Sequence, residues 1–224
     1  DSTAGLSREF VEKHGIRIVP LYIKMDGVTY RDEVDITAAE FYERLPNCTT
    51  LPTTSQPSAG DFVGVYRELV DQGATGIISV HLSSGISGTV SSAHAAAEAI
   101  DGVPVEIIDT QTASVAHMLS VEAGARALAD GASLEEAVAV IQGVASAQRV
   151  TFTVDTLEYL RKGGRIGGAA ALLGSLLQFK PLLYFKEGEI DALERARTSR
   201  RALKRVVELM GEWLGVEEPV HAVA

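Results

Sequence analysis

The chain has 224 residues, 46% hydrophobic and 6% aromatic, so its length and composition suit one large domain or two small ones with a mostly aliphatic core. Its 20 basic and 30 acidic residues give a formal charge of -10, which excludes a general nucleic-acid-binding protein because no basic excess is available to displace counterions. The single cysteine, Cys48, excludes an internal disulfide and a thiolate metal cluster.

The sequence carries no signal for membrane insertion or export. It has no run of about 18 or more apolar residues, so we expect no membrane span. The opening letters DSTAGLS lack the basic and apolar regions of a signal peptide, and we expect a cytoplasmic protein. DST reads as the end of a strand whose beginning is missing, and the closing VHAVA reads as a strand without its continuation. We therefore expect both ends to be trimmed.

The first two-thirds of the chain predicts strands that alternate with helices. We expect a helix over 4–15 capped by residues 1–3, strand material over 16–25, and two capping boxes, Thr37 with Glu40 and Ser58 with Asp61. Five further elements then follow in order: strand 76–80, helix 90–100, strand 103–109, helix 112–131 and helix 134–147. Strands separated by helices of this length indicate parallel βαβ units.

The last third has a different texture. We expect a short helix running into a glycine-rich loop over 155–168, then a helix of small residues over 169–178. A hairpin turning at Glu187–Gly188 follows, and the amphipathic helix 199–215 ends the pattern, with one apolar face formed by Leu203, Val206, Val207, Met210 and Leu214. The sequence thus predicts two α/β domains, a parallel-sheet βαβ domain over residues 1–149 and a smaller α/β domain over 150–224.

The letters HLSSGISGTV, residues 81–90, predict an anion site. They follow a strand, and ligands of parallel sheets bind beyond the carboxyl ends of the strands. A helix starting near Gly88 would aim free N–H groups and the positive end of its dipole at the same place. The loop adds the hydroxyl groups of Ser83, Ser84, Ser87 and Thr89. A carboxylate or phosphate would fit, and the alternative is a serine-rich turn with a helix cap.

Two other loops carry similar alternatives. TTSQPS, residues 53–58, again places hydroxyls before a helix, and it is either a second wall of the same site or a surface loop. RKGGRIGG, residues 161–168, places Arg165 between glycine pairs, so that it clamps an anion, lines an interface or forms a flexible basic linker. The histidines show no metal-binding spacing, and we expect no metal site; His221, at the end of a strand, could reach a ligand.

A basic cluster lies within residues 195–205 of this acidic chain. It is either a solvated helix face or a docking face for an acidic partner. No aromatic residue is interleaved for base stacking. The cluster contains Arg195, Arg197, Arg200, Arg201, Lys204 and Arg205.

Eight motifs, in order along nearly the whole chain, resemble the DegV family. They are DSTAGL, VPLYIKMDGVTYRDEVDI, TTSQPS, SSGISGTVSSA, IIDTQTAS, FTVDTLEYLRKGGRIG, KPLLYFKEGEI and ARTSRRALKRV. The resemblance implies two α/β domains that bind one long-chain fatty acid between them, with no cofactor and no catalysis of their own. Some members carry the acyl chain for a fatty acid kinase, which phosphorylates the bound carboxylate for phospholipid synthesis.

The resemblance also implies roles for particular residues. Thr54 and Ser87 would hold the carboxylate, with Ser55 and Gly88 nearby and His221 from the second domain. From the residue pattern itself, we expect a second group to line the pocket or an interface: Ser84, Thr89, Arg165, Leu173 and Leu176. The kinase-facing group would be Arg197, Arg200, Arg201 and Lys204. One departure is Val90, where the family usually has an aromatic residue.

The residues themselves leave other readings open. The small side chains at 169–171 and 174 leave room for an acyl tunnel between leucines, although a dry core helix has the same composition. An enzyme or sensor for a small phosphorylated or carboxylated metabolite is the alternative function. No Lys or Arg lies in the two hydroxyl loops, which argues against a phosphate. A regulatory module using the basic cluster is a third reading, and it is compatible with fatty acid binding.

Overall fold

The computed structural model describes residues 1–174 and 179–214, and the chain forms two compact units, Asp1–Ala147 and Gln148–Ala224. Each unit mixes helices and strands, as the sequence predicts. The first contains a parallel strand pair and the second an antiparallel sheet. Within the described residues, no helix combines the length and the apolar character needed to cross a membrane.

The first unit contains a parallel pair of strands and a separate antiparallel sheet. β4 pairs with β5 in parallel, from Ile77 opposite Val105 to His81 opposite Asp109. The antiparallel sheet has the order β2-β1-β3. The strands are β1 Tyr22–Met25, β2 Val28–Arg31, β3 Thr53–Ser55, β4 Ile77–His81 and β5 Val105–Asp109.

Six helices complete this unit and bury its aliphatic core. They are α1 Arg8–His14, α2 Ala38–Arg44, α3 Ala59–Asp71, α4 Thr89–Ala97, α5 Val115–Ala129 and α6 Leu134–Ala147. α3 and α4 contribute Phe62, Tyr66, Ala93 and Ala96 to a core cluster that also contains Ile77 of β4. Both predicted capping boxes are present, at the starts of α2 and α3.

The first predicted helix, 4–15, is wrong in its extent. Ser2–Ala4 forms one 3₁₀ turn, which ends because Gly5 is left-handed with φ 59. α1 begins only after Ser7, whose hydroxyl accepts a hydrogen bond from the Phe10 N–H at 3.2 Å. The side chain of Asp1 therefore caps the 3₁₀ turn and not α1.

The second unit is built on a three-stranded antiparallel sheet of order β6-β7-β8. The predicted hairpin turn is confirmed, because Glu187 and Gly188 have φ of 50 and 82, as a two-residue turn of this kind requires. The elements are β6 Thr151–Thr153, α7 Glu158–Lys162, a 3₁₀ helix Gly167–Leu172, β7 Lys180–Lys186, β8 Glu189–Ala196 and α8 Ser199–Trp213.

The predicted small-residue helix over 169–178 is wrong in the part that the structure describes. The 3₁₀ helix ends at Leu172, Leu173 is extended, and Gly174 is left-handed with φ 80. A left-handed residue cannot continue a right-handed helix. Residues 175–178, which include the predicted pocket residue Leu176, lie outside the described residues.

The apolar face predicted for α8 is wrong in part, because Val206 packs against the core cluster of this unit whereas other residues of that face are exposed. Leu203 and Val207 are 59% and 68% exposed. The buried stripe runs one residue earlier, through Ala202 and Leu209, and it packs on Leu182 of β7. Counting large apolar side chains favoured the outer stripe, whereas the small Ala202 allows the helix to approach the sheet closely.

A buried polar network fixes the carboxyl end of β4. The Tyr66 hydroxyl donates to Ser79 Oγ at 2.7 Å, and Ser79 Oγ lies 2.8 Å from His81 Nε2. His81 Nδ1 lies 3.2 Å from Asp1 Oδ2, which also accepts the Leu82 N–H at 3.0 Å. Ser79 therefore donates to a neutral His81 whose Nδ1 carries the proton, and every contact in this chain has a donor and an acceptor.

A second histidine extends the network. His117 of α5 donates from Nε2 to the Val80 carbonyl at 3.2 Å, and its Nδ1 lies 3.2 Å from Thr3 Oγ1. Thr3 Oγ1 donates its one proton to Asp1 Oδ1 at 2.6 Å, so its contact with Nδ1 of the neutral His117 is a close approach of two acceptors and not a hydrogen bond. Burial lowers the pKa of both His81 and His117 well below the ordinary value of 6.5.

The glycine-rich loop gives a test of close packing. A Cβ on Gly167, which has φ 48, would overlap the carbonyl oxygen of Ile190 in β8. Because backbone cannot move aside cheaply, we expect Gly167→Ala to lower the free energy of unfolding of the second unit by about 2–4 kcal/mol. Urea unfolding followed by the fluorescence of Trp213, the single tryptophan, measures this.

The matched control is Gly211→Ala. Gly211 is inside α8, and its added Cβ would meet nothing within 4 Å. This change should be neutral or stabilise by up to about 1 kcal/mol, since alanine favours helix. Equal effects of the two substitutions would contradict the packing described for Gly167.

The buried histidines give a pH prediction. As the pH falls below about 6.5, the unfolded chain takes up protons at His81 and His117 while the folded chain does not, so the free energy of unfolding falls with the pH. We expect a slope of up to about 1.4 kcal/mol per pH unit for each histidine between about pH 6.5 and 5. Urea unfolding followed by circular dichroism at several pH values measures the slope.

His117→Gln removes one of the two buried histidines, so it should reduce the slope by up to about 1.4 kcal/mol per pH unit. The control is His94→Gln, because His94 is exposed on α4 and should leave the slope unchanged. If the two variants and the parent chain share one slope, His117 is not held neutral by burial.

Candidate functional site

The carboxyl edge of the parallel pair carries the first hydroxyl loop. β4 ends at His81, the loop follows, and α4 begins at Thr89. Gly88 is the N-cap residue of α4 and makes no side-chain cap bond. The positive end of the α4 dipole therefore meets the loop, where an anion is stabilised.

Asp109 binds this loop to the one that follows β5. Its carboxylate accepts a hydrogen bond from Ser84 Oγ at 2.6 Å and another from the Gln111 N–H at 2.8 Å. The Ser83 N–H donates to the Thr112 carbonyl at 2.7 Å, which joins the same two loops again. The predicted pocket residue Ser84 is thus a partner of Asp109, and the loop is held in one shape before a ligand arrives.

Ser87 and Thr89 form a pair of hydroxyls at the start of α4. Their oxygens lie 2.8 Å apart, and the Thr89 N–H lies 3.4 Å from Ser87 Oγ. Thr89 is fully buried, whereas Ser87 is partly exposed. Ser87 therefore lies near the surface, with its hydroxyl in contact with the buried Thr89 hydroxyl.

The second hydroxyl loop begins in β3. Thr54 lies opposite Ile23 of β1, and both Thr54 and Ser55 are exposed. No hydrogen bond of their hydroxyls to another described residue is present, so both are available to a ligand. Ser58 is engaged in capping α3, where it exchanges hydrogen bonds with Asp61.

The two hydroxyl loops meet at Gly88. A Cβ added to Gly88 would lie 2.8 Å from Gln56 Cδ and 3.1 Å from Gln56 Oε1, and it would overlap Nε2. Glycine at 88 is therefore what allows the Gln56 side chain to lie on the start of α4. The contact places the loop of Gln56 against the start of α4 within the first unit.

The other predicted residues lie in the second unit or outside the described residues. Arg165 donates from its guanidinium to the Gly163 carbonyl. Leu173 is 43% exposed and lines a cavity of about 460 Å³ with Arg161, Phe179 and other residues of that unit. His221 lies outside the described residues.

The predicted kinase-facing group lies on the surface of the second unit. Arg197, Arg200, Arg201 and Lys204 are all exposed. Arg205, which belongs to the same basic cluster of the sequence, instead donates to Glu194 through two hydrogen bonds of 2.8 Å and to Glu212 through two of 2.6 and 3.2 Å. It is half-buried and belongs to the packing of α8 on β8.

The groups at this edge of the sheet could bind an anion without a fixed positive charge. It offers hydroxyls and a helix N-terminus, and no Lys or Arg belongs to either loop. Asp1, His81 and Ser79 have the contact order of a nucleophilic triad, but His81 and Ser79 are buried and Ser79 accepts the Tyr66 hydroxyl. A substrate cannot reach that serine, so we assign the triad to support of the loop.

Sequence reasoning missed Asp109, Gln56 and the Asp1 network as parts of this edge. IIDTQTAS was noted as a motif, but the interaction of Asp109 with Ser84 joins residues 25 apart and has no periodic signal. In the residues that the structure covers, no group of three His, Cys, Asp or Glu side chains could hold a metal ion.

Comparisons with known proteins agree on one family. The sequence profile of the DegV family, described as uncharacterised proteins, matches residues 1–222. A DegV domain-containing protein of Listeria innocua is 41% identical over 211 residues, which cover 94% of this chain and 74% of the relative. The protein DegV of Bacillus subtilis is 38% identical over 223 residues, which cover 99% of this chain and 79% of the relative.

Solved structures agree with these relatives. A DegV family protein from Thermus thermophilus, described as binding fatty acid, has a TM-score of 0.88 at 40% identity and covers 95% of this chain and 75% of its own. DegV from Bacillus subtilis, described as a fatty acid binding protein, has a TM-score of 0.86 at 38% identity with the same coverage. A stearic acid-binding protein from Eubacterium ventriosum has a TM-score of 0.85 at 34% identity, covering 95% of this chain and 74% of its own. The chain therefore belongs to the DegV family.

Proposed function

We propose that this chain binds one long-chain fatty acid and holds its carboxylate at the joined hydroxyl loops of the first unit. The observation that carries the proposal is the meeting of the two loops at Gly88, where the Gln56 side chain of one loop lies against the N-terminus of α4. The fatty-acid-binding descriptions of the solved relatives support the ligand class.

The physical chemistry of the edge favours a carboxylate. A carboxylate removed from water takes up a proton unless several donors compensate the lost hydration. Thr54, Ser55 and Ser87 can supply hydroxyl donors, and the α4 dipole adds a favourable field. Because no fixed cation is present in the loops, the site matches a singly charged head group better than a phosphate.

The acyl chain needs apolar surface elsewhere. Leu173 exposes an apolar side chain beside the cavity of the second unit, and we assign it to contact with the tail. The placement of the ligand between the two domains, the part of His221 and the cytoplasmic location stay predictions from the sequence.

Extraction of the purified protein with organic solvent, followed by mass spectrometry, tests the ligand class directly. We expect a long-chain fatty acid in a molar ratio near one, and uptake of added oleate by stripped protein. Empty protein that takes up no oleate, or that binds a phosphate ester in calorimetry and ignores oleate, would sink the proposal.

Two substitutions locate the carboxylate. Ser87→Ala and Thr54→Val should each weaken oleate binding by roughly 10- to 100-fold, since a hydrogen bond to a charged group contributes about 1.5–3 kcal/mol. The controls are Ser91→Ala on α4 and Thr29→Val, an exposed threonine of β2 that belongs to neither hydroxyl loop. Equal losses in a variant and its control would place the carboxylate elsewhere.

We further propose that the chain presents the bound carboxylate to a partner fatty acid kinase and has no catalytic activity alone. The support is the basic surface formed by Arg197, Arg200, Arg201 and Lys204, which stands out against the chain's net charge of -10. Among the described residues, no ion pair involves Arg197, Arg200 or Arg201, so these guanidinium groups are available to an acidic partner.

Charge reversal tests this surface. The double variant Arg200→Glu/Arg201→Glu should abolish acyl-phosphate formation in the presence of a bacterial fatty acid kinase and ATP, while oleate binding is retained. Glutamates at the start of α8 agree with its dipole, so the fold should tolerate them. The control Lys13→Glu/Arg67→Glu makes the same change of charge in the first unit. An active Arg200→Glu/Arg201→Glu variant would refute this docking surface.

A further inference from the structure

The Gln56 side chain occupies the place where the two hydroxyl loops meet. Its Cδ and Oε1 lie 2.8 and 3.1 Å from the position that a Cβ on Gly88 would take, and Nε2 lies closer still. Gly88 is the N-cap of α4. The carboxamide is therefore placed at the helix N-terminus, beside the residue that follows Ser87, and it is carried by the loop that contains Thr54 and Ser55.

The backbone on both sides of Gln56 is held by strand pairing, burial and a helix cap, so the loop fixes the position of the Gln56 backbone. Thr54 is paired with Ile23 two residues before it. Pro57 is fully buried directly after it, and Ser58 caps α3. The carboxamide itself is exposed and has no hydrogen-bond partner among the described residues, so its N–H groups are open to a ligand.

We propose that Gln56 is a specificity-determining residue, which donates a hydrogen bond from Nε2 to the carboxylate of the ligand. This inference rests on the proposed function, and it identifies the Gln56 carboxamide as the group that distinguishes a charged head group from a neutral one. A carboxamide supplies two N–H donors without a net charge. A glutamate has nearly the same shape and offers acceptors only, with a negative charge.

Replacement of Gln56 by glutamate changes the charge of the side chain but hardly its size, so it separates the effect of charge from the effect of packing. Gln56→Glu would place a carboxylate at the N-terminus of α4, where the helix dipole stabilises it, so the fold should be kept. The new carboxylate would occupy the donors that otherwise bind the ligand. It would also repel an anionic head group, and neither loop contains a Lys or Arg to compensate.

The experiment measures the affinity for oleate and for oleyl alcohol, whose head group is neutral, near pH 8. Gln56→Glu should weaken oleate binding by about tenfold or more and leave oleyl alcohol within about twofold of the parent chain. Gln56→Met keeps the length of the side chain without the amide, and it should weaken oleate by a smaller factor of about fivefold. The control Gln142→Glu makes the same change on an exposed position of α6 and should leave both ligands unaffected.

Three results would overturn the inference while the proposed function stands. They are parent-like oleate binding by Gln56→Glu, equal losses of oleate in Gln56→Glu and Gln56→Met, and equal losses of oleate and oleyl alcohol in Gln56→Glu. Each would mean that the amide acts through packing or not at all. Failure of the parent chain to bind oleate would instead remove the proposed function, and this inference with it.

Discussion

The parallel pairing of β4 with β5 is the constraint on which the candidate site depends. It sends two loops past the same edge of the sheet, and the Asp109 carboxylate joins them through Ser84 Oγ and the Gln111 N–H. Beneath them, Asp1 accepts the Leu82 N–H and holds the end of β4 from below. The buried polar groups beneath the loops thus already have hydrogen-bond partners within the protein. They do not need the exposed hydroxyls of the loops, which can therefore bind another molecule.

The sequence predicts the elements that have local signals. The alternation of strands and helices, both capping boxes and the turn at Glu187–Gly188 follow from periodicity, cap residues and turn chemistry. The 3₁₀ segment after Gly167 could not be predicted in this way, because its glycines are set by contact with β8 and not by their neighbours in the chain. The inner face of α8 was missed for a related reason, since burial there depends on the fit of Ala202 and not on hydrophobicity.

The site divides along the same line. The residue pattern selects the two hydroxyl-rich loops before helices, and only the family resemblance singles out Ser87 and Thr54 within them. Gln56 and Asp109 could not be selected from composition, since one polar residue in a loop resembles any other until its partner is known. In this protein those partners are a glycine 32 positions away and a serine 25 positions away. Long-range contacts of single residues are the part of a site that pattern reading does not reach.

The contact between Gln56 and Gly88 also has a consequence for how the two positions respond to mutation. A side chain at 88 would overlap the Gln56 carboxamide, and because that carboxamide is the far end of an exposed, flexible side chain, it can swing aside at small cost. A substitution at 88 therefore acts on position 56 by displacing the amide from the start of α4. The effects of changes at the two positions are consequently not additive, although 32 positions separate them in the chain.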